Sequence, residues 1–131
     1  MTIRVLIADD APLVRCTLST ALARAGFDVC TSSDGHAAVR LATVAPPDIA
    51  LTDLDMPAGG LELVRKLKAL YGAAVWVAVL PGGDIDDLRE RFMHSGADDV
   101  ITKPIVPSEL RRRLLAARPA GKTGAVALTG S

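Results

Sequence analysis

Short apolar runs alternate along the chain with longer stretches whose apolar positions recur every three to four residues. Ile3-Arg4-Val5-Leu6-Ile7-Ala8 is rich in β-branched residues and predicts a buried strand. Leu13, Val14, Leu18, Ala21, Leu22 and Ala25 then give a helix one apolar face. Asp10 is its expected cap, Pro12 lies in its first turn, and Gly26 is placed to end it. Phe27 to Thr31 predicts a second strand. Ser33 and Asp34 are capping candidates for a helix to about Val44, stopped by Pro46 and Pro47.

The alternation continues. Asp48 to Asp53 predicts a third strand, apolar enough for a sheet covered on both faces. Leu61, Val64, Leu67 and Leu70 are spaced for a helix face. Ala74 to Leu80 is the strongest β signal. Asp84 starts a helix carrying Ile85, Leu88 and Phe92 and ending near Gly96. Asp99 to Thr102 predicts a fifth strand, and Pro107 opens a last helix, roughly Ser108 to Ala117. Five strands, each followed by a helix, imply an α/β domain with a parallel sheet and helices on both faces. Residues 1–118 are expected to form this domain. Residues 119–131, small and polar without period, are expected to be a flexible C-terminal tail.

Composition narrows the function. Lys plus Arg and Asp plus Glu are both 15, so broad electrostatic capture of nucleic acid or anionic membrane is not expected. Two cysteines, Cys16 and Cys30, make no disulfide scaffold or close metal pair. No apolar run approaches the roughly 20 residues of a membrane span, and the N-terminus has no signal-peptide core. A reduced, cytoplasmic location is expected. Arg111-Arg112-Arg113 reads as the solvated face of the last helix or a protein-docking surface. Gly121-Lys122-Thr123 lacks the glycine and the strand of a phosphate loop. His36 and His94 have no second ligand.

In such sheets the functional crevice lies beyond the carboxyl ends of the strands. Strand 1 ends at Asp9-Asp10, strand 3 at Asp53 with Asp55 two residues on, and strand 5 at Thr102-Lys103 before Pro104. Clustered carboxylates call for a neutralising cation, and Mg²⁺ prefers oxygen ligands and commonly bridges carboxylate to phosphate. A fixed lysine binds a phosphoryl oxygen as a point charge. The implied chemistry is phosphoryl transfer onto a carboxylate.

The acidic pair after strand 1, the segment Pro47 to Pro57, Leu61-Glu62-Leu63, and the segment Gly96 to Pro104 occur in order over about residues 3 to 117. On these pieces the sequence resembles the receiver domain of bacterial two-component response regulators, the CheY-like superfamily. The resemblance implies a flavodoxin-like, doubly wound (βα)5 fold with strand order 2-1-3-4-5. It makes Asp53 the phosphoacceptor. Asp10 would hold Mg²⁺ directly, Asp9 mainly through water, and the Asp55 backbone carbonyl would complete the protein's share. Lys103 would contact the phosphoryl group, and the Lys103-Pro104 peptide would be cis. Implied partners are a histidine kinase or histidine phosphotransfer protein, a downstream protein or fused output domain, and a second copy meeting the face of helix 4, strand 5 and helix 5. Direct nucleic-acid or membrane binding is not implied, and the domain is expected to be a signalling switch rather than a metabolic enzyme. It is either a stand-alone regulator or part of a larger protein.

The sequence departs from the family at three places. Pro81 stands where a Ser or Thr hydroxyl is usual at the end of strand 4. Val100 stands at the aromatic switch position of strand 5, and the loop after Pro57 is about one residue short. The expected response therefore differs from the usual coupling, with Gly82-Gly83 as a candidate moving part. The alternative is a phosphorylation-independent pseudo-receiver that serves as a protein-interaction module. Asp53-Leu54-Asp55 also matches the aspartate pair of haloacid-dehalogenase-type phosphatases. In that family the pair follows the first strand of a longer chain, and here it follows the third.

Overall fold

The computed structural model describes residues 2–54, 56, 59–81 and 96–117. Its elements are β1 (Arg4–Ala8), α1 (Pro12–Arg24), β2 (Asp28–Ser32), α2 (Gly35–Val44), β3 (Ile49–Asp53), α3 (Gly60–Tyr71), a 3-10 turn (Gly72–Ala74), β4 (Trp76–Leu80), β5 (Asp99–Val100) and α4 (Pro107–Ala116). Here α4 is the fifth helix of the sequence-based count. The helix expected from Asp84, with Ile85, Leu88 and Phe92, lies outside the described residues. So do Gly82, Gly83, His94 and the tail 119–131.

The strands form one parallel sheet in the order β2-β1-β3-β4-β5. Alternation along each strand sends successive side chains to opposite faces. Leu6, Ala8, Ala50, Val77 and Val79 meet Ala38 and Ala42 of α2 and Leu63, Val64 and Leu67 of α3 on one face. Val5, Ile7, Ile49, Leu51 and Leu80 meet Leu18 and Leu22 of α1 and Leu110 and Leu114 of α4 on the other. The central strands are apolar on both sides because both sides are covered. Each fully buried leucine contributes roughly 1.5–3 kcal/mol, so these two layers hold the strand ends in place.

Four sequence expectations need correction. Asp10 does not cap α1. The N-cap position is Ala11, and Asp9 Oδ1 accepts the Ala11 N–H at 2.9 Å in a local side-chain turn. Leu13 is not on the apolar face, being 79% exposed. It lies five residues before Leu18, about 140° around the helix. Leu70 is exposed and Leu63 takes its place in the core. Tyr71 occupies the inward position of the last turn of α3, its hydroxyl donating to the Ala42 carbonyl at 2.7 Å. The fifth strand is shorter than Asp99 to Thr102, although the Ile101 N–H still reaches Val79 O at 2.9 Å. At α2 the expected cap holds, since Asp34 accepts the Ala37 N–H at 2.8 Å.

Candidate functional site

The register of the two central strands builds the site. Ala8 of β1 pairs with Thr52 of β3, so Asp9 and Asp53 emerge side by side, about 4.8 Å apart in the spacing of neighbouring strands. Both are buried, while Asp10 is exposed. One carboxylate oxygen from each of Asp9, Asp10 and Asp53 lies within 4.8 Å of the others. Lys103 is delivered from the far edge of the sheet. Its N–H donates to Pro81 O at 3.1 Å, carrying the β4–β5 pairing past Val100. The Lys103–Pro104 peptide is cis. The Lys103 ammonium donates to Asp53 Oδ1 at 3.0 Å and lies 2.9 Å from Asp9 Oδ2.

Burial alone would lower the pKa of the Lys103 ammonium. The two carboxylates outweigh it and leave the pKa above the ordinary lysine value. The Lys103 ammonium form is thereby favoured between the two buried carboxyl groups. Asp9 is fixed on every side but one. Its N–H donates to Ser32 O at 3.0 Å, Oδ1 accepts from Ala11, and its carbonyl accepts Arg15 Nη1 at 2.7 Å. Its Oδ2 is different. It is buried, and among the described residues its one close partner is the Lys103 ammonium at 2.9 Å, which Asp9 shares with Asp53. A buried carboxylate oxygen with a single close partner, and two further carboxylates beside it, suits a hard divalent cation with oxygen ligands.

The main chain of Asp53 is held as closely as its carboxylate. The Thr52 hydroxyl donates to the Asp53 carbonyl oxygen at 3.0 Å. Gly60 opens α3 against the same carbonyl. A Cβ there would fall on Asp53 O and lie 2.9 Å from Leu54 Cα. Glycine is needed at this point for close approach of backbone to backbone.

The structure thus gathers Asp9, Asp10, Asp53 and Lys103. Asp55, and Pro57 and Ala58 of the loop expected to be short, lie outside the described residues. Pro81 and Val100 are both buried, Val100 at 3% exposure and in register with Val79. Arg111 and Arg112 are exposed, as the solvated-face reading expects, but Arg113 pairs with Asp99 at 3.3 Å. Cys16 is exposed, and Cys30 is partly buried with its thiol pKa raised by burial and by Asp28. Sequence reasoning missed Arg15 and Thr52. Both act on main-chain carbonyls, which carry no residue-specific signal. The one available cue was position, since Arg15 lies one helical turn beyond Ala11 and Thr52 immediately precedes Asp53. Beside the site, Leu13, Val14, Thr17, Leu18, Lys103, Pro104 and Ile105 line a cleft of about 220 Å³. Among the described residues no helix is long and apolar enough to cross a membrane.

Comparison with known proteins agrees with this geometry. A family model, the response regulator receiver domain, matches residues 5–115. The transcriptional regulatory protein PrrA of Mycobacterium tuberculosis is 39% identical over 114 residues, 86% of this chain and 48% of PrrA. The alkaline phosphatase synthesis transcriptional regulatory protein PhoP of Bacillus subtilis is 31% identical over 117 residues, 88% of this chain and 48% of PhoP. The chain spans about half the length of these curated relatives. Among solved structures, the chemotaxis protein CheY4 of Vibrio cholerae superposes with a TM-score of 0.84 at 26% identity, covering 89% of this chain and 99% of that one. The BeF3-activated receiver domain of RstA from Klebsiella pneumoniae gives 0.80 at 25% identity, covering 87% and 97%. With its CheY-like fold, this chain belongs to the response regulator receiver domain family of two-component systems.

Proposed function

We propose that Asp53 accepts a phosphoryl group from a phosphohistidine donor. The observation that carries this reading is the Lys103 ammonium held between Asp9 and Asp53 inside a three-carboxylate pocket. A carboxylate oxygen of Asp53 attacks phosphorus, the phosphorus–nitrogen bond breaks, and the imidazole leaves as the neutral base on taking up a proton. The product is an aspartyl phosphate. Lys103 stabilises the transferring oxygens as a point charge already in place. Asp9, Asp10 and Asp53 would hold Mg²⁺, which neutralises phosphoryl and carboxylate charge when bound. The backbone carbonyl of Asp55 belongs to the same proposed set.

The domain promotes its own modification and is a switch rather than a metabolic enzyme. A haloacid-dehalogenase-type phosphatase is disfavoured by the position of Asp53-Leu54-Asp55 after the third strand. The donor is a histidine kinase or histidine phosphotransfer protein, met in the cytoplasm. The output is a downstream protein or a fused domain, in keeping with relatives about twice this length. A homodimer would use the β5–α4 side, where Arg113 pairs with Asp99 and Glu109.

One observation favours a second reading. Pro81 brings no hydroxyl to the end of β4, and Val100 is a buried valine. A phosphorylation-independent interaction module would need neither switch residue. The test is to incubate the protein with Mg²⁺ and a small acyl-phosphate donor, then measure intact mass, with Asp53→Asn as control. A Mg²⁺-dependent phosphate adduct absent from the variant is expected. A folded protein that gains no adduct, from this donor or from a phosphorylated histidine phosphotransfer protein, would establish the second reading instead.

A further inference from the structure

The join between β1 and α1 is unusual in how it is tied. The N-cap residue of α1, Ala11, offers no side-chain cap, and no acidic residue lies in the first turn. Two bonds hold the join instead, and both end on Asp9. One is the Ala11 N–H to Asp9 Oδ1. The other is Arg15 Nη1 to the Asp9 carbonyl at 2.7 Å, a charge-assisted bond from a partly buried guanidinium. Arg15 is itself anchored, since its N–H closes the first turn on Ala11 O at 3.1 Å. Asp9 is thereby held through its N–H, its carbonyl and Oδ1, and Oδ2 is left to face the Lys103 ammonium at 2.9 Å beside the other two carboxylates. The contact that Arg15 makes is with the main-chain carbonyl of Asp9 and not with a carboxylate.

We propose that Arg15 is a positioning residue for divalent-cation binding, fixing the Asp9 main chain so that Oδ2 faces the pocket. This rests on the reading of the acidic pocket as a Mg²⁺ site. Two accounts of Arg15 differ in sign. If Arg15 acted only through its charge, it would repel the incoming cation, and its removal would tighten binding. If it positions Asp9, its removal weakens binding. Partners that orient a metal ligand typically matter by about 10–100-fold in affinity, and a bond to main chain rather than to a carboxylate belongs at the low end.

Titration calorimetry with MgCl2 on the whole chain separates the accounts, using wild type, Arg15→Met, Arg15→Lys and Asp9→Asn. Arg15→Met removes donor and charge, and an affinity loss of about tenfold is expected. Arg15→Lys keeps the charge on a shorter arm without the planar fork of the guanidinium, and is expected to fall between Met and wild type. Unchanged or tighter binding by a folded Arg15→Met protein would overturn the proposal. Should Arg15→Met fail to fold, Arg15→Lys decides. The charge account predicts wild-type affinity, which would overturn positioning, and the positioning account predicts a measurable loss. Wild type that binds no Mg²⁺, or Asp9→Asn that binds as tightly as wild type, would refute the cation site itself and this inference with it.

Discussion

The middle and the outer edge of the same sheet are built by different rules. At the ends of β1 and β3, Asp9 and Asp53 are buried carboxylates held by named bonds on main chain and side chain alike. At the ends of β4 and β5, Pro81 and Val100 are buried residues without a side-chain donor or acceptor. Both regions are packed, and among the described residues the buried carboxylates belong to the middle. Receiving a phosphoryl group needs charges at fixed distances, which leaves little freedom of substitution. Relaying its presence needs only some coupled change in shape, and that can be supplied by different residues. On the function proposed above the two tasks are separable in one domain: Asp9, Asp53 and Lys103 meet in the middle, and neither Pro81 nor Val100 brings a polar side chain to the edge.

Crowding at the middle gives the largest expected effect. In Gly60→Ala the new methyl meets the Asp53 carbonyl oxygen and Leu54 Cα, which are backbone and cannot rotate aside. Overpacking against flexible side chains costs about 1–3 kcal/mol, and a backbone clash belongs at or above the upper figure. Urea denaturation should show a loss of about 3 kcal/mol or more, together with loss of the phosphate adduct. A neutral Gly60→Ala would mean that the β3–α3 join is loose and that the middle is no more constrained than the edge.

Charge comes next. The Lys103 pKa lies above its ordinary value because its contacts with Asp9 and Asp53 outweigh burial. A raised pKa in the folded state stabilises the fold fully below the unfolded-state value, and that contribution is lost as pH rises through the folded-state value. Wild type should therefore hold this component up to the ordinary lysine range, about 10.4, and lose it above. Lys103→Met should lack that alkaline component. Chemical denaturation of both proteins from pH 8 upward checks the slope. Equal alkaline slopes would mean that the ammonium is not bound to the buried carboxylates in solution.

The Thr52 hydroxyl is worth less. Leaving the Asp53 carbonyl without this donor costs about 1–3 kcal/mol, and the position is fully buried. Thr52→Val, of nearly the same shape, should lose about 1–2 kcal/mol and slow adduct formation. Thr52→Ser keeps the hydroxyl and should recover the rate. If Thr52→Val and Thr52→Ser form the adduct equally fast, the hydroxyl contributes to packing alone.

What was legible in the sequence follows the same division. Asp9, Asp53 and Lys103 could be found because each follows an apolar run, and parallel strands bring such positions to one edge. The strand order came from resemblance and not from periodicity. Bonds to main chain were invisible. Arg15 reads as a surface residue until its partner, the Asp9 carbonyl, is seen. Asp10 looked like the cap because it stood nearer the helix, yet Asp9 reaches Ala11 by a turn of its own. Leu13 and Leu70 failed because hydrophobicity says that a side chain prefers burial, and helix phase decides whether it gets it.

The smallest expected effect is at β5, and it tests the comparison most directly. Val100 is branched at Cβ and restricted at χ1, so it lacks the long lever of an aromatic ring. It lies in register with Val79, and its N–H donates to Asp99 Oδ1 at 2.8 Å. Asp99 is in turn paired with Arg113 of α4, and the next residue, Ile101, is bonded to Val79 O. Val100 is thus fixed by the strand beside it and by the helix that follows. On phosphorylation, amide chemical shifts should move at Asp9, Asp10, Asp53 and Lys103 and stay nearly constant at Val100. Hydrogen exchange at the Ile101 amide should likewise be unchanged. A large response at Val100 would show that the β5 edge still relays the signal without an aromatic residue, and the division between a charged middle and a quiet edge would fall.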